Sequence, residues 1–335
     1  PTSAIVKLLD LGYGEGGVYV AASSGRLQKG ELTTENGRVR IAGEYPNLAE
    51  RLAEELRLPR FSIYPLWGAA EGYPPENAEL VLISRRNEAE VARAGLTPLG
   101  KLVDFRACLI ANADSLKVKD MARLLDTISS SLPGLAALPE ASTRITALRT
   151  VSGDTIRDED TVRLALPDGH QQAHVRKILE AAGMAVTDYP SATGGRRPHG
   201  LDGFFIKVIR PQDMPLQVAN GNFDLAVTGR DWLTDHLYQF PTSPAHEMMD
   251  LKYGRVRIVA VVDNTVPVRT LAELRKYREK AGAPYRVASE YVNIADYYAR
   301  ANHLGQYRVI PTWGATEAFL PEDADLLIEN TETGS

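Results

Sequence analysis

Strand-length apolar runs alternate along the chain with stretches of helical spacing. "VRIVAVV" (256–262) is β-branched and apolar and predicts a strand. Thr270-Leu271-Ala272-Glu273 sets a threonine three residues before a glutamate, the capping-box pattern that opens a helix. Beyond it the pattern predicts strands at Tyr285–Ala288, Tyr307–Pro311 and Asp325–Ile328 and a helix over Asn293–His303. Upstream it predicts a strand at Leu102–Ala111, a helix at Val118–Ile128, and a strand at Val162–Leu166 followed by a helix over Gln171–Ala182. "FFIKVIRPQDMP" (204–215) and "DLAVTGRDWL" (224–233) each read as an apolar strand running into a polar turn at a helix start. Alternation at these lengths predicts parallel or mixed sheets covered by helices, with ligand groups at the C-terminal strand edges. Ser129–Asp160, rich in Ser, Pro, Gly, Thr and charge, reads as a linker.

The chain also repeats itself. "PTSAIVKLLDLGYG" (1–14) matches "PTSPAHEMMDLKYG" (241–254) at seven of fourteen positions. At an offset of 246, residues 40–76 lie over 286–322 without a gap. Glu44-Tyr45, Asn47, Pro65, Trp67-Gly68-Ala69 and Glu71 recur as Glu290-Tyr291, Asn293, Pro311, Trp313-Gly314-Ala315 and Glu317. The period is too long for a solenoid, so the expectation is a duplicated lobe. The expected domains are 1–97, a degenerate copy; 98–130, its return segment; 131–160, a linker; 161–246, a first lobe; and 247–335, a second lobe.

Composition narrows the function. Hydrophobic residues at 44% and charged ones at 24% are ordinary for a globular protein, and a net charge of −5 argues against nucleic-acid or membrane-surface binding. No apolar run approaches the roughly 18 residues of a membrane span, and no leader pattern precedes the first residue, so the expected location is cytoplasmic. Cys108 is the single cysteine, which excludes an internal disulfide and a cysteine metal cluster. His170 and His174 share a helical face but have no third ligand, so no protein-held metal site is expected. Trp67 and Trp313, Asp224, and the "GGRRPHG" stretch (194–200) each fit packing or a solvated turn as readily as ligand binding.

The closing stretch, "DADLLIENTETGS" (323–335), runs a strand into a carboxylate, Glu329, and then into a loop of Thr, Gly and Ser. Backbone N–H groups of such a loop wrap a phosphate, the hydroxyls add donors, and a glycine lets the backbone approach the oxygens. The stretch resembles the phosphoribosyl-diphosphate loop of the ATP phosphoribosyltransferase family, the first enzyme of histidine biosynthesis. "LALPDGHQQAHVRKILEAAG", "RPQDMPLQVANGNFDLAVTGRDWL", "MDLKYGRVRIVAVV" and "RVASEY" are similar to that family's segments and stand in its order over about 160–335.

The resemblance implies an α/β fold of two lobes like periplasmic binding proteins, with the second lobe duplicated. It implies a glycosyltransferase that joins phosphoribosyl diphosphate to N1 of ATP and releases pyrophosphate, with Mg²⁺ neutralising the leaving group. It places Glu329 at the ribose and Thr331, Glu332, Thr333, Gly334 and Ser335 around the 5′-phosphate. Arg210 and Asp213 join Glu329 as catalytic candidates. Pro167, Asp168, Gly169, His170, Thr228, Gly229 and Asp231 are the nucleotide-side candidates. The implied partners are the two substrates and either a second copy of the chain or a regulatory subunit.

Two departures stand out. Asp168 and His170 flank Gly169 where the family has basic residues, and the stretch stops at Ser335 within the loop. In the first copy Ile83 replaces Glu329 and "SRRNEA" (84–89) replaces the loop, so the first copy is not expected to bind a phosphoribosyl group. The chain therefore reads as a fragment of a tandem duplication. A non-catalytic ligand-binding or regulatory subunit on the same fold is the alternative.

Overall fold

The computed structural model describes residues 5–28, 31–132, 149–153, 160–184, 186–191, 195–279 and 283–332. It is a mixed α/β fold with several sheets, and the chain divides into two compact units, Pro1–Asp158 and Glu159–Ser335.

The first unit opens with β1 (Ile5–Asp10), β2 (Gly16–Ala22), β3 (Leu27–Gln28) and β4 (Glu31–Glu35). It continues through β5 (Val39–Gly43), α1 (Pro46–Glu55), β6 (Phe61–Pro65), β7 (Leu80–Arg85), α2 (Glu88–Arg93), β8 (Thr97–Phe105) and β9 (Cys108–Asn112). α3 (Ala113–Val118), α4 (Ala122–Ser131) and β10 (Arg149–Gly153) follow. Its main sheet has the order β6-β5-β7-β2-β8, and Val20, Ile41, Leu52, Leu80 and Leu82 are buried in its core.

Three expectations change here. The strand expected over Leu102–Ala111 is two strands, because β8 pairs with β2 while β9 leaves that sheet and pairs with β1. The helix expected over Val118–Ile128 is interrupted: Asn112 caps α3, and Asp120 Oδ1 accepts the N–H of Ala122 and starts α4 afresh. Within the expected linker, β10 pairs in parallel with β4.

The second unit carries β11 (Val162–Pro167), α5 (Gln172–Ala181), β12 (Phe204–Ile209), α6 (Met214–Ala219), β13 (Leu225–Ala226) and α7 (Arg230–Gln239). Then come β14 (Val256–Val261), α8 (Leu271–Glu279), β15 (Tyr285–Ser289), α9 (Val292–Ala301), β16 (Tyr307–Pro311) and β17 (Leu326–Glu332). Its first sheet is parallel, in the order β12-β11-β13, and its second has the order β14-β17-β15-β16. The capping box before α8 forms as its sequence requires: Glu273 accepts the N–H of Arg269 and Thr270, and Thr270 Oγ1 accepts that of Glu273.

The second sheet repeats the first unit's architecture. β15, α9, β16 and β17 begin 246 residues after β5, α1, β6 and β7. Registers repeat as well: Val39 pairs with Phe61 and Tyr285 with Tyr307, while Ile41 pairs with Leu80 and Val287 with Leu326. Ala69 and Ala315 both take left-handed backbone, at φ 56 and 49. One difference is at the edge. β2 is covered by β8, whereas among the described residues β14 ends its sheet and is exposed along much of its length.

An arginine–carboxylate pair anchors each of these two sheets. Arg286 binds Asp325 through its backbone N–H and its guanidinium, at 2.9 and 3.0 Å. Arg40 does the same with Glu79, at 2.6 Å for both contacts, and the fully buried Arg26, together with the partly exposed Glu35, extends that pair into a network. Glu79→Ala leaves two buried guanidinium groups short of countercharge and should cost about 3–5 kcal/mol. Asp325→Ala, in the more solvated pair, should cost clearly less. Urea unfolding midpoints of the two variants check the difference, and equal losses would refute it.

Candidate functional site

Nucleotide-side candidates collect at the C-terminal ends of β11 and β12. Pro167 closes β11, and its carbonyl accepts the Tyr189 hydroxyl at 2.7 Å. Burial, and then the nearby Asp168 carboxylate, push the Tyr189 phenol far up, so this hydroxyl stays a donor. Asp168 is buried, its N–H bonded to the Ile209 carbonyl. Its carboxylate takes Arg196 at 2.8 Å and Arg210 at 3.4 Å. The position expected to lack cations thus draws in two, one of them from the "GGRRPHG" stretch, of which residues 195–200 are described.

Gly169 turns the chain with φ +73, a conformation side-chain-bearing residues resist, and His170 is exposed beside it. Arg210 follows β12 directly; its side chain is 43% exposed while its Nε is buried without a partner among the described residues. Asp213 is buried at the start of α6. Thr228 Oγ1 donates to the Pro211 carbonyl at 2.9 Å, tying the turn after β13 to the one after β12. Gly229 caps α7, and a Cβ there would collide with Asp231 Oδ1.

Asp231 faces the second sheet. Tyr291, immediately before α9, donates its hydroxyl to Asp231 Oδ2 at 2.7 Å, accepts Asn330 Nδ2 at 2.8 Å, and stacks on Trp232 at 4.3 Å. Burial, then the Asp231 carboxylate, raise the Tyr291 phenol far above its ordinary value. One helical turn on, Asp235 accepts the N–H groups of Asn293 and Ile294 at 2.9 and 2.8 Å and Asn293 Nδ2 at 2.8 Å. Tyr238 stacks on Tyr297 at 4.2 Å. Asp231 is therefore part of a continuous α7–α9 junction.

Glu329 lies on β17, and that strand does not break after it as expected. Asn330, Thr331 and Glu332 continue the antiparallel ladder opposite Ile258, Arg257 and Val256, because β14 offers hydrogen bonds along its whole length. Thr331 is exposed in that strand. Thr333, Gly334 and Ser335 lie outside the described residues.

The register that pairs Val287 with Leu326 brings Glu290 alongside Glu329, a partner the sequence reading missed. Burial and then the Glu329 charge push the Glu290 carboxyl up, partly offset by the Gly314 N–H. Its signal in the sequence was the repeated Glu-Tyr. Next to Gly314, Trp313 is 75% exposed, whereas Trp67 is half-buried. Asp224 pairs with Arg163, holding β11 against the turn before β13. Among the described residues no three His, Cys, Asp or Glu side chains gather into a metal-holding group. None of the described helices is long and apolar enough to cross a membrane.

Parallel strands whose C-terminal ends carry Asp168, Arg210 and Thr228 in one sheet, and Glu290 and Glu329 in the next, define an α/β protein with its charged and hydroxyl groups gathered at strand ends. The chain belongs to the ATP phosphoribosyltransferase (HisG) family, whose sequence model matches residues 2–133 and 210–335. Arg210 through Ser335 lie inside the match, as does most of the first unit, while Pro167, Asp168, Gly169 and His170 lie outside. An ATP phosphoribosyltransferase of Chlorobium luteolum is 35% identical over 133 residues, 38% of this chain and 40% of that protein. The one from Chlorobaculum parvum is 30% identical over 186 residues, covering 52% and 56%. The chain spans about half the length of the curated relatives it matches. A solved ATP phosphoribosyl transferase (HisG:HisZ) complex from Thermotoga maritima aligns with 52% of this chain and 76% of its own at 22% identity, with a TM-score of 0.40.

Glu290 gives a test of the carboxylate pair. An acid whose folded pKa lies above its unfolded value, here about 4.5, binds protons more tightly when folded. Native stability therefore falls as pH rises from the unfolded pKa to the raised folded one, and stays lower above it. Glu290→Gln removes that penalty, so its melting temperature should exceed the parent's at pH 7, with the gap closing near pH 4. Thermal melts across that range check it, and a gap that widens toward acid would overturn the pairing.

Proposed function

We propose that the protein is an ATP phosphoribosyltransferase, acting in histidine biosynthesis, with its site in the second unit. The reading takes that unit as two lobes of periplasmic-binding-protein type, 161–246 and 247–335. The first unit is then a degenerate copy of the second lobe (1–97) with a return segment (98–130), joined through 131–160, and the protein is cytoplasmic. The observation that carries the functional reading is the Glu290–Glu329 pair at the strand ends of the sheet that belongs to the matched region 210–335.

In the reaction the N1 lone pair of ATP forms the bond to the anomeric carbon as the carbon–oxygen bond to diphosphate breaks, its electron pair leaving on pyrophosphate. Such chemistry asks the protein for orientation and charge stabilisation rather than for a nucleophile. Glu329 holds the ribose hydroxyls, and Thr331, Glu332, Thr333, Gly334 and Ser335 surround the 5′-phosphate. Arg210, oriented by Asp168, faces developing negative charge, and Asp213 and Thr228 fix the turn that presents it. Pro167, Asp168, Gly169, His170, Thr228, Gly229 and Asp231 border the nucleotide.

The donor set fits Mg²⁺ in the way that ion is usually held, by one or two carboxylates together with substrate phosphates. Glu290 and Glu329 would hold it, and it would supply charge neutralisation for the leaving diphosphate. A second reading, a non-catalytic regulatory subunit that works with a catalytic partner, is favoured by Asp168, whose negative charge offsets the cations a polyphosphate needs.

Calorimetric titration with phosphoribosyl diphosphate and Mg²⁺ should show one site per chain. Glu329→Ala should weaken it about tenfold or more, since hydrogen bonds to charged groups carry that much. Pyrophosphate released only when ATP is also present supports the enzyme, and binding without release supports the regulatory reading. Binding unchanged in Glu329→Ala, or two equal sites, would overturn the site assignment.

A further inference from the structure

Hydrogen bonds across the two strands bracket the carboxylate pair of the second unit. On one side Ser289 Oγ donates to the Ile328 carbonyl at 2.6 Å; on the other Asn330 Nδ2 donates to the Tyr291 hydroxyl at 2.8 Å. Ser289 Oγ also accepts the Tyr291 N–H at 2.9 Å, which ties the tyrosine backbone to the strand ends. Ser289 and Tyr291 are both fully buried. The backbones of Glu290 and Glu329, lying between these bonds, are held at one separation.

The far end of the tyrosine reaches α7. A phenol has one proton, and Tyr291 gives it to Asp231 Oδ2 at 2.7 Å while its oxygen accepts Asn330. The other oxygen of that carboxylate, Oδ1, fills the space a Cβ would need at Gly229, with Gln171 Nε2 close by. The Tyr291 ring stacks on Trp232 at 4.3 Å, which keeps it from tipping away. One buried side chain thus fixes the start of α7, which carries Gly229 and Asp231, relative to the strand ends that carry Glu290 and Glu329. A phenylalanine would fill the same space. What the hydroxyl adds is two bonds, one to a nucleotide-side candidate and one to the neighbour of the ribose-side candidate.

The chemistry makes that spacing matter. N1 of the base must come to about 3–3.5 Å from the anomeric carbon, in line with the bond that breaks. In the transferase reading the two reactants are held by groups of different lobes, 161–246 and 247–335, so neither lobe alone sets the gap. Resting on that reading, we propose that Tyr291 is a positioning residue. Its hydroxyl holds the nucleotide-side start of α7 and the ribose-side carboxylate pair in the register that bond formation needs. It touches neither substrate and exchanges no proton with them.

The test measures pyrophosphate release by the whole chain with ATP, phosphoribosyl diphosphate and Mg²⁺, well below the melting temperature of every variant. Tyr291→Phe keeps the ring and its stack on Trp232 and removes both hydrogen bonds. Its kcat should fall by about tenfold to a hundredfold, while the KM of each substrate changes little, the mark of an interaction that counts in the transition state. Tyr238→Ala opens the same α7–α9 junction at its exposed end, where Tyr238 stacks on Tyr297. It should lower the melting temperature and leave kcat nearly unchanged. An unchanged kcat in Tyr291→Phe would overturn the positioning role and leave the transferase reading standing, as would a raised KM at unchanged kcat. An equal loss of kcat in Tyr238→Ala would also overturn it, since the junction would then act as scaffold alone. No pyrophosphate release from the parent chain would sink the transferase reading, and the positioning role with it.

Discussion

The second unit depends on one charged contact, the pairing of Arg286 with Asp325. The carboxylate accepts both the backbone N–H and the guanidinium of Arg286, so it fixes where the two parallel strands start relative to each other. Once Val287 lies opposite Leu326, counting three residues along each strand sets Glu290 beside Glu329, and one more sets Tyr291 beside Asn330. The carboxylate pair and the tyrosine–asparagine bond are consequences of that register. A slip of one residue would turn every one of these side chains to the opposite face of the sheet.

The same arithmetic in the first unit gives a different set of neighbours. Arg40 and Glu79 set Ile41 opposite Leu80, so Glu44 falls beside Ile83 and Tyr45 beside Ser84. The clamp there is buried more deeply than in the second unit, yet an apolar side chain, Ile83, stands where Glu329 lies. Architecture and chemistry have separated: the arginine clamp preserves the strand register regardless of what the strand ends carry.

Much of this was legible in the sequence. The β-branched run at 256–261, the capping box at Thr270–Glu273 and the element spacing over 285–311 all formed, since each rests on local chemistry. The repeat identified the internal counterpart before any coordinates. What the sequence did not reveal came from distant partners. Glu290 came beside Glu329 only through strand register, and Asp168 gathered Arg196 and Arg210 from segments 28 and 42 residues away. β17 ran on past Glu329 because β14 lay alongside it, and no local pattern in "ENTE" announces a neighbouring strand. Asp120 broke the expected helix by capping the next one, a role its composition shared with any surface acid.

The unequal burial of the two arginine clamps has a consequence for how the units answer ionic strength. The Arg40 and Glu79 side chains are 7% and 0% exposed, whereas those of Arg286 and Asp325 are 27% and 11% exposed. Mobile ions screen charges that water reaches and leave buried pairs almost untouched. Added salt therefore loosens the clamp that sets the second sheet's register while leaving the first unit's clamp in place.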